Sequence, residues 1–274
     1  NRHAVYVRLT DEVQIMKNID VTALGELLVD FTESGLSPQG NPLLEANPGG
    51  APCNVLSMLN KLGHSTSFIG RIGNDMFGDM LEKTLYNAGI GTQGLVKDDK
   101  VNTTLAFVHT REDGDREFSF YRNPGADMML SPEDVKQELI TESRIFHFGT
   151  LSMTHDTCLR ATEKAIEAAC EGGCIISFDP NIREPLWDDM ERAGLRTDFG
   201  MKHCDILKIS DNEILWFTGE KSFDAAVDRI LEEYSNISLL LLSLGKDGSM
   251  AVCGENKVTV PAFVNPNTIE TTGA

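Results

Sequence analysis

Several short stretches of this 274-residue chain carry the residue types and spacing that chemistry would need. The run Thr271-Thr272-Gly273-Ala274, coming after strands and a loop, has the composition of a turn at a helix N-terminus. Such a turn offers unpaired backbone N–H groups and the positive end of a helix dipole to an anion such as phosphate. Taken alone, the same string is more often an ordinary turn. Asp179-Pro180-Asn181-Ile182-Arg183 places polar and basic groups just beyond a buried-type strand, the edge at which open α/β sheets bind ligands. Asp-Pro is also a routine turn. Asp30 follows the first strand and can accept hydrogen bonds from hydroxyl groups, or be a solvated loop acid. In Pro48-Gly49-Gly50-Ala51-Pro52-Cys53-Asn54 the glycines let backbone approach a ligand closely. Asn54, one turn into the following helix, offers both a donor and an acceptor to a polyol. A Gly-Gly turn with a structural Asn explains the same residues. Glu213 stands third after Ser210, the spacing of a capping box, which is a structural role. Arg122 can reach a substrate oxygen or be a surface arginine.

The bulk properties limit what these residues can serve. A hydrophobic fraction of 41% is ample for a large α/β domain or two small ones. The net charge of −18 repels nucleic acid and anionic membranes, so neither is an expected partner. It also requires any phosphate site to be built locally, from backbone N–H groups, a few basic side chains and a metal. The cysteines, Cys53, Cys158, Cys170, Cys174, Cys204 and Cys253, form no dense framework, which suits reduced thiols in a cytoplasmic protein. Cys170 and Cys174 lack a second pair or a nearby His to complete a metal site. The six histidines lack metal-ligand spacing and read as surface or packing residues. No apolar run approaches the roughly 20 residues of a membrane helix, and no signal peptide is visible.

The elements that must position these residues keep a βαβ rhythm, which argues for a parallel sheet with helices on its faces. Residues 1–15 do not blend into the strand-like run beginning at Ile19 and read as an extension or vector remnant. Strands are expected over Ile19–Leu24, Thr66–Ile72, Arg144–Gly149, Cys174–Asp179, Asp205–Ile209 and Ile237–Leu242, the last as a central strand. Helices are expected from Pro52 to Gly63, Met76 to Asn87, Leu130 to Glu138, Asp156 to Glu171, Ser210 to Thr218 and Phe223 to Tyr234. Further strands are expected over Met250–Cys253 and Lys257–Val260, after the glycine-containing turn Ser243–Ser249. The rhythm breaks between Gly94 and Arg122. There Thr104–Thr110 and Arg116–Arg122 alternate about Glu112-Asp113-Gly114-Asp115, the pattern of a β-hairpin. A hairpin projecting from a parallel sheet must bury its apolar face as a lid over a ligand, as a dimer surface, or as both.

Taken together, the ordered set resembles the ribokinase-like (PfkB) carbohydrate kinase family. The residues that carry the resemblance are Gly25-Glu-Leu-Leu-Val-Asp30, Gly49-Gly-Ala-Pro-x-Asn54, Gly70-Arg-Ile-Gly-Asn-Asp75, Asp179-Pro-Asn-Ile-Arg183, Ser243-x-Gly-x-x-Gly248 and Thr271-Thr-Gly-Ala274. Each is weak alone, and all stand in the family's order between residues 19 and 274. Phe120-Tyr121-Arg122 and Phe178-Asp-Pro-Asn-Ile-Arg183 sharpen the match toward members that phosphorylate fructose. Members acting on 2-keto-3-deoxygluconate share the Tyr-Arg and Asp-x-Asn-x-Arg features and are the nearest alternative.

The resemblance implies a three-layer α/β/α sandwich over residues 16–274, with a mainly parallel sheet and lid strands around 31–48 and 94–125 that often pair subunits into a homodimer. It implies transfer of the γ-phosphate of ATP to a primary hydroxyl of a free sugar, with Mg2+. Sugar contacts are implied for Asp30, Gly49, Gly50, Asn54, Tyr121 and Arg122, with the lid closing near Ala106 and Phe107. Asn181 and Arg183 would lie beside the nucleotide phosphates, and Ser243, Gly245 and Gly248 along the adenosine. Glu213 matches the acidic end of an Asn-x-x-Glu motif tied to magnesium, and Ser210 replaces its Asn. Glu270 replaces the usual Asp before Thr271, which weakens a K+ site. Gly273 and Ala274 would begin the anion hole. The family continues with Gly-Asp after Ala274, that Asp being the catalytic base, so the C-terminal part of the domain is expected beyond this sequence. Without that Asp the chain would be a non-catalytic sugar-binding protein. A generic nucleotide-binding fold is disfavoured, because neither G-x-G-x-x-G after the first strand nor a Walker P-loop is present.

Overall fold

The computed structural model describes residues 17–110 and 116–263. Residues 1–15, the hairpin tip, and Glu270 to Ala274, with Gly273 and Ala274, lie outside the described residues. In chain order, β1 (Ile19–Leu24), β2 (Leu28–Leu36) and β3 (Pro42–Gly49) precede α1 (Ala51–Lys61), β4 (Thr66–Gly73) and α2 (Met76–Asn87). Three strands come next: β5 (Gly91–Asp98), β6 (Leu105–Thr110) and β7 (Arg116–Tyr121). After them stand α3 (Gln137–Thr141), β8 (Ser143–Gly149), α4 (Asp156–Glu171), β9 (Ile175–Asp179) and α5 (Met190–His203). The described chain closes with β10 (Ile206–Ser210), α6 (Asp211–Thr218), α7 (Phe223–Glu233), β11 (Leu239–Ser243), β12 (Ser249–Cys253) and β13 (Asn256–Val260).

These strands form two sheets. The larger has nine strands in the order β13-β12-β11-β10-β9-β8-β1-β4-β5, and the smaller has four, in the order β3-β2-β6-β7. From β5 across to β11 every neighbouring pair is parallel, while β12 and β13 add antiparallel strands at the far edge. Parallel strands need helical crossovers, and those helices cover the sheet's faces. β1 shows the result: Val21 and Ala23 pack with α1 and α2, while Leu24 points into the other cluster with α4 and α7. Parallel direction also brings the C-terminal ends of β1, β8, β9, β10 and β11 to one edge. The site therefore has to form there.

Several expectations are corrected. Residues 94–98 do not join the strands expected to form a lid: they belong to β5, which pairs in parallel with β4 and closes the main sheet, so the small sheet comprises β2, β3, β6 and β7. The apolar run ending at Leu242 is not central but third from an edge. The helix expected over Leu130–Glu138 is instead a 3-10 turn at Pro132–Asp134, with α3 after it. Ser131 and Asp134 form a reciprocal cap at the start of that turn. The sequence pattern does not announce α5. Gly194 and Gly200 dilute its helical signal, yet Gly200 is needed because a Cβ there would strike the ring of Phe178. No described helix is long and apolar enough to cross a membrane.

Candidate active site

Glu26, just after β1, is buried, and its Oε1 accepts the Ala51 backbone N–H at 2.7 Å. This bond caps α1, whose own N-cap, Gly50, has no side chain to do so. Gly50 sits at φ 122°, where a Cβ would run into the Glu26 carbonyl, so only glycine fits. A Cβ on Gly49 would collide with the Asp30 carboxylate, which lies directly over its Cα. Asp30 and the double glycine therefore share one surface, and Asn54 is exposed one turn into α1.

Strand alternation divides the remaining lid residues. Ala106 is the registered partner of Asp30, and Phe107 that of Phe31. Side chains alternate faces along a strand, so Asp30 and Ala106 share one face of the lid. Phe107 and Tyr121 occupy the other, with Phe107 stacked on Phe31 at 5.0 Å and meeting Tyr121 edge-on at 5.2 Å. Tyr121 is 68% exposed. Arg122 is turned inward and buried. Its Nε donates to Asp127 Oδ2 (2.8 Å), Nη1 to Thr154 Oγ1 (2.9 Å) and Nη2 to the Leu151 carbonyl (3.0 Å). A substrate bond from Arg122 would have to compete with these.

On the other side of the edge, the loop after β9 is held from three directions. Thr150 Oγ1 donates to the Pro180 carbonyl at 2.5 Å, and Glu213 Oε1 accepts the Ile182 N–H at 2.7 Å. The Asp179 carboxylate accepts a third bond, from the Asn181 N–H. Asn181 adopts φ 43°, a left-handed conformation that Asn tolerates better than most residues. Arg183 is exposed at the loop's end, free of the core. Glu213 also completes the capping box of α6, its Oε2 accepting from the Ser210 N–H (2.9 Å) and Oγ (2.6 Å). Both its oxygens are thus committed to backbone geometry. Ser243 ends β11, and Gly245 and Gly248 frame the 3-10 turn beyond it, both at positive φ. Lys208, Leu241, Ser243, Ala251 and Val260 line a groove of about 280 Å³ on one face of β10–β13.

Between the two halves lies a small cavity of about 10 Å³, room for about one water, lined by Glu26, Pro52, His147, Thr150, Asp179 and Asn181. Burial governs its titratable groups. It pushes the Glu26 carboxyl up to about 7, with the Asp127 charge adding to the shift. It raises Asp179 to about 6 despite Lys208, whose Nζ lies 3.1 Å from Asp179 Oδ2. It lowers His147 to about 4, the Lys208 charge adding to the effect. Sequence reasoning passed over His147, Thr150 and Lys208. Their common signal is position: each lies near the C-terminal end of a parallel strand.

These groups lie along one edge of the large sheet, and known proteins share the fold that gathers them there. A model of the pfkB family of carbohydrate kinases matches residues 18–274. The chain belongs to that family. A probable fructokinase-2 of Arabidopsis thaliana is 41% identical over 93% of this chain and 77% of the relative. A Xylella fastidiosa fructokinase crystallised with bound ATP is 32% identical and superposes with a TM-score of 0.81, over 90% of this chain and 74% of that one. A putative ribokinase II of E. coli in complex with ATP and magnesium is 26% identical with a TM-score of 0.80, over 91% and 80% of the two chains. The nine-stranded sheet with its four-stranded companion is thus the ribokinase-like fold of a pfkB carbohydrate kinase.

Proposed function

We propose that this pfkB kinase transfers the γ-phosphate of ATP to a primary hydroxyl of fructose. The observation that carries the choice of a neutral sugar is the inward turn of Arg122 onto Asp127, Thr154 and Leu151. A keto acid such as 2-keto-3-deoxygluconate carries a carboxylate that calls for a cationic contact, and Arg122, which the resemblance places at the sugar, is otherwise engaged. The identity to plant fructokinases supports the same reading. Asp30 accepts hydrogen bonds from sugar hydroxyls, Gly49 and Gly50 admit the sugar against backbone, and Asn54 bonds a further hydroxyl. Asn181 and Arg183 lie beside the phosphates, and Ser243, Gly245 and Gly248 along the adenosine. Five neighbouring strands, β11 to β1, separate the two ends. Four steps of about 4.8 Å give roughly 19 Å for nucleotide and sugar laid in line.

In the transfer, the sugar oxygen bonds to the γ-phosphorus as the bond to the β–γ bridging oxygen breaks, and ADP leaves. The proton passes to the Asp that the family pattern places after Ala274, while N–H groups from Gly273 onward steady the phosphoryl charge. Magnesium, when bound with the nucleotide, would neutralise phosphate charge. Among the described residues no three His, Cys, Asp or Glu side chains converge to hold a metal. Glu213, with both oxygens bonded, fits an indirect role that shapes the Asn181–Arg183 loop. Any K+ site near Glu270 lies outside the described residues. A homodimer through the lid fits the exposure of Leu36, Leu43 and Leu44 on β2 and β3, and the buried thiols of Cys53, Cys158, Cys174 and Cys204 fit a cytoplasmic location. Parallel assays of the natural full-length protein with fructose and the keto acid test the reading. A higher kcat/KM on the keto acid would overturn the choice of sugar.

A further inference from the structure

Both ends of the β6–β7 lid hairpin meet at one buried carboxylate. Thr104 is the last residue before β6 and Arg122 the first after β7. Thr104 Oγ1 donates to Asp127 Oδ1 at 2.5 Å. Arg122 Nε donates to Asp127 Oδ2 at 2.8 Å, and Nη2 stands 2.6 Å from the same oxygen. The three residues are 1%, 7% and 6% exposed, so water does not weaken these bonds. The turn between them is built close around the carboxylate, since a Cβ on Gly125 would strike Thr104 Oγ1 and Asp127 Oδ1. Two connections run from this point to the site. The Thr104 carbonyl accepts the Val29 N–H at 3.1 Å, next to Asp30 on β2. Arg122 reaches the Leu151 carbonyl and Thr154, and Leu151 lines the cavity with Glu26 and Asp179.

We propose that Asp127 is a positioning residue for the lid, clamping both feet of the hairpin to the floor of the sugar site so that the lid is placed as one body with Asp30. Hinges of this kind lie at element ends, where a few residues set the orientation of everything beyond them. A carboxylate held by a guanidinium on one side and a hydroxyl on the other fixes both feet at once. Loosening either bond lets Asp30 and the lid face around Ala106 drift relative to the Gly49–Gly50 backbone. Arg122 then acts through Asp127 and does not touch the sugar. The inference rests on the sugar-kinase reading.

The test uses full-length protein with Thr104→Val, Arg122→Lys and Asp127→Asn, measuring KM for fructose, KM for ATP and ADP formed per sugar phosphate. Thr104→Val removes one hydroxyl and no charge, and keeps the inference testable should Asp127→Asn fail to fold. For Thr104→Val and Asp127→Asn the KM for fructose is expected to rise about tenfold or more, with the KM for ATP within about twofold of wild type. A lid that seats poorly also admits water to the phosphoryl group, so ADP per sugar phosphate is expected to rise from about one to above about two. A loss of stability alone changes neither ratio. If Thr104→Val and Asp127→Asn leave both readouts unchanged while Arg122→Lys raises the sugar KM, Arg122 is a direct ligand and the clamp is overturned. Unchanged readouts in all three variants also overturn it. A wild-type protein that phosphorylates no sugar defeats the kinase reading itself, which is a separate outcome.

Discussion

At the scale of single residues, the proposed sugar side depends on a carboxylate lying against a glycine. Asp30→Ala removes a charged acceptor, and such hydrogen bonds contribute about 1.5–3 kcal/mol, so kcat/KM for fructose should fall roughly 10- to 100-fold. Gly49→Ala should cause a loss of the same order, because its Cβ would displace the Asp30 carboxylate. Steady-state kinetics with each substrate varied separately checks both, and the KM for ATP should hold. Glu26 makes a prediction about pH. Burial holds its carboxyl at about 7, against an ordinary 4.5. The folded state thus binds this proton more tightly than the unfolded chain does. Its contribution to stability is present below about pH 4.5 and is lost as pH rises through about 7. Glu26→Gln still offers an oxygen to the Ala51 N–H but has no proton to lose. The stability of the variant relative to wild type should therefore increase from pH 4.5 to pH 7, as read by urea unfolding. The difference between proteins is the proper readout, because His147, lowered from 6.5 to about 4, acts with the opposite sign over much of that window.

At the scale of elements, Glu213 shows how a capping residue can shape a ligand loop. It closes the α6 capping box with Ser210 and also accepts the Ile182 N–H. Glu213→Ala should cost about 1–2 kcal/mol of stability from the lost cap, and should raise the KM for ATP as the Asn181–Arg183 loop loosens. Thermal unfolding and nucleotide kinetics check the two parts. Elements are legible in the sequence where the period is clean: α2, α4 and the alternating β6–β7 pair stand where the sequence places them. They are not legible where glycine breaks the period. β5 carries Gly91 and Gly94, and α5 carries Gly200, each a close packing contact that a sequence window reads as a break. The division of Ala106 from Phe107 and Tyr121 is a matter of alternation alone. The inward turn of Arg122 is not, since it depends on Asp127 and Thr154 from other parts of the chain.

At the scale of the molecule, seven strands pointing one way gather polar residues that are far apart in sequence onto one edge. That edge can be located from the sequence, because each motif comes after a strand. His147 in the cavity and Lys208 beside Asp179 cannot, since nothing local distinguishes them from packing and surface residues. The net charge of −18 has a kinetic consequence. An acidic molecule slows the approach of polyanionic ATP, and salt screens that repulsion over about 10 Å at 0.1 M. Raising salt from roughly 10 to 150 mM should increase kcat/KM for ATP by about two- to fivefold and leave that for fructose unchanged. The central claim is tested most directly by incubating the natural full-length protein with ATP, magnesium and fructose, and quantifying ADP and sugar phosphate together. The account predicts the two products in equal amounts, with fructose preferred over 2-keto-3-deoxygluconate. No phosphorylated product from any sugar would contradict it.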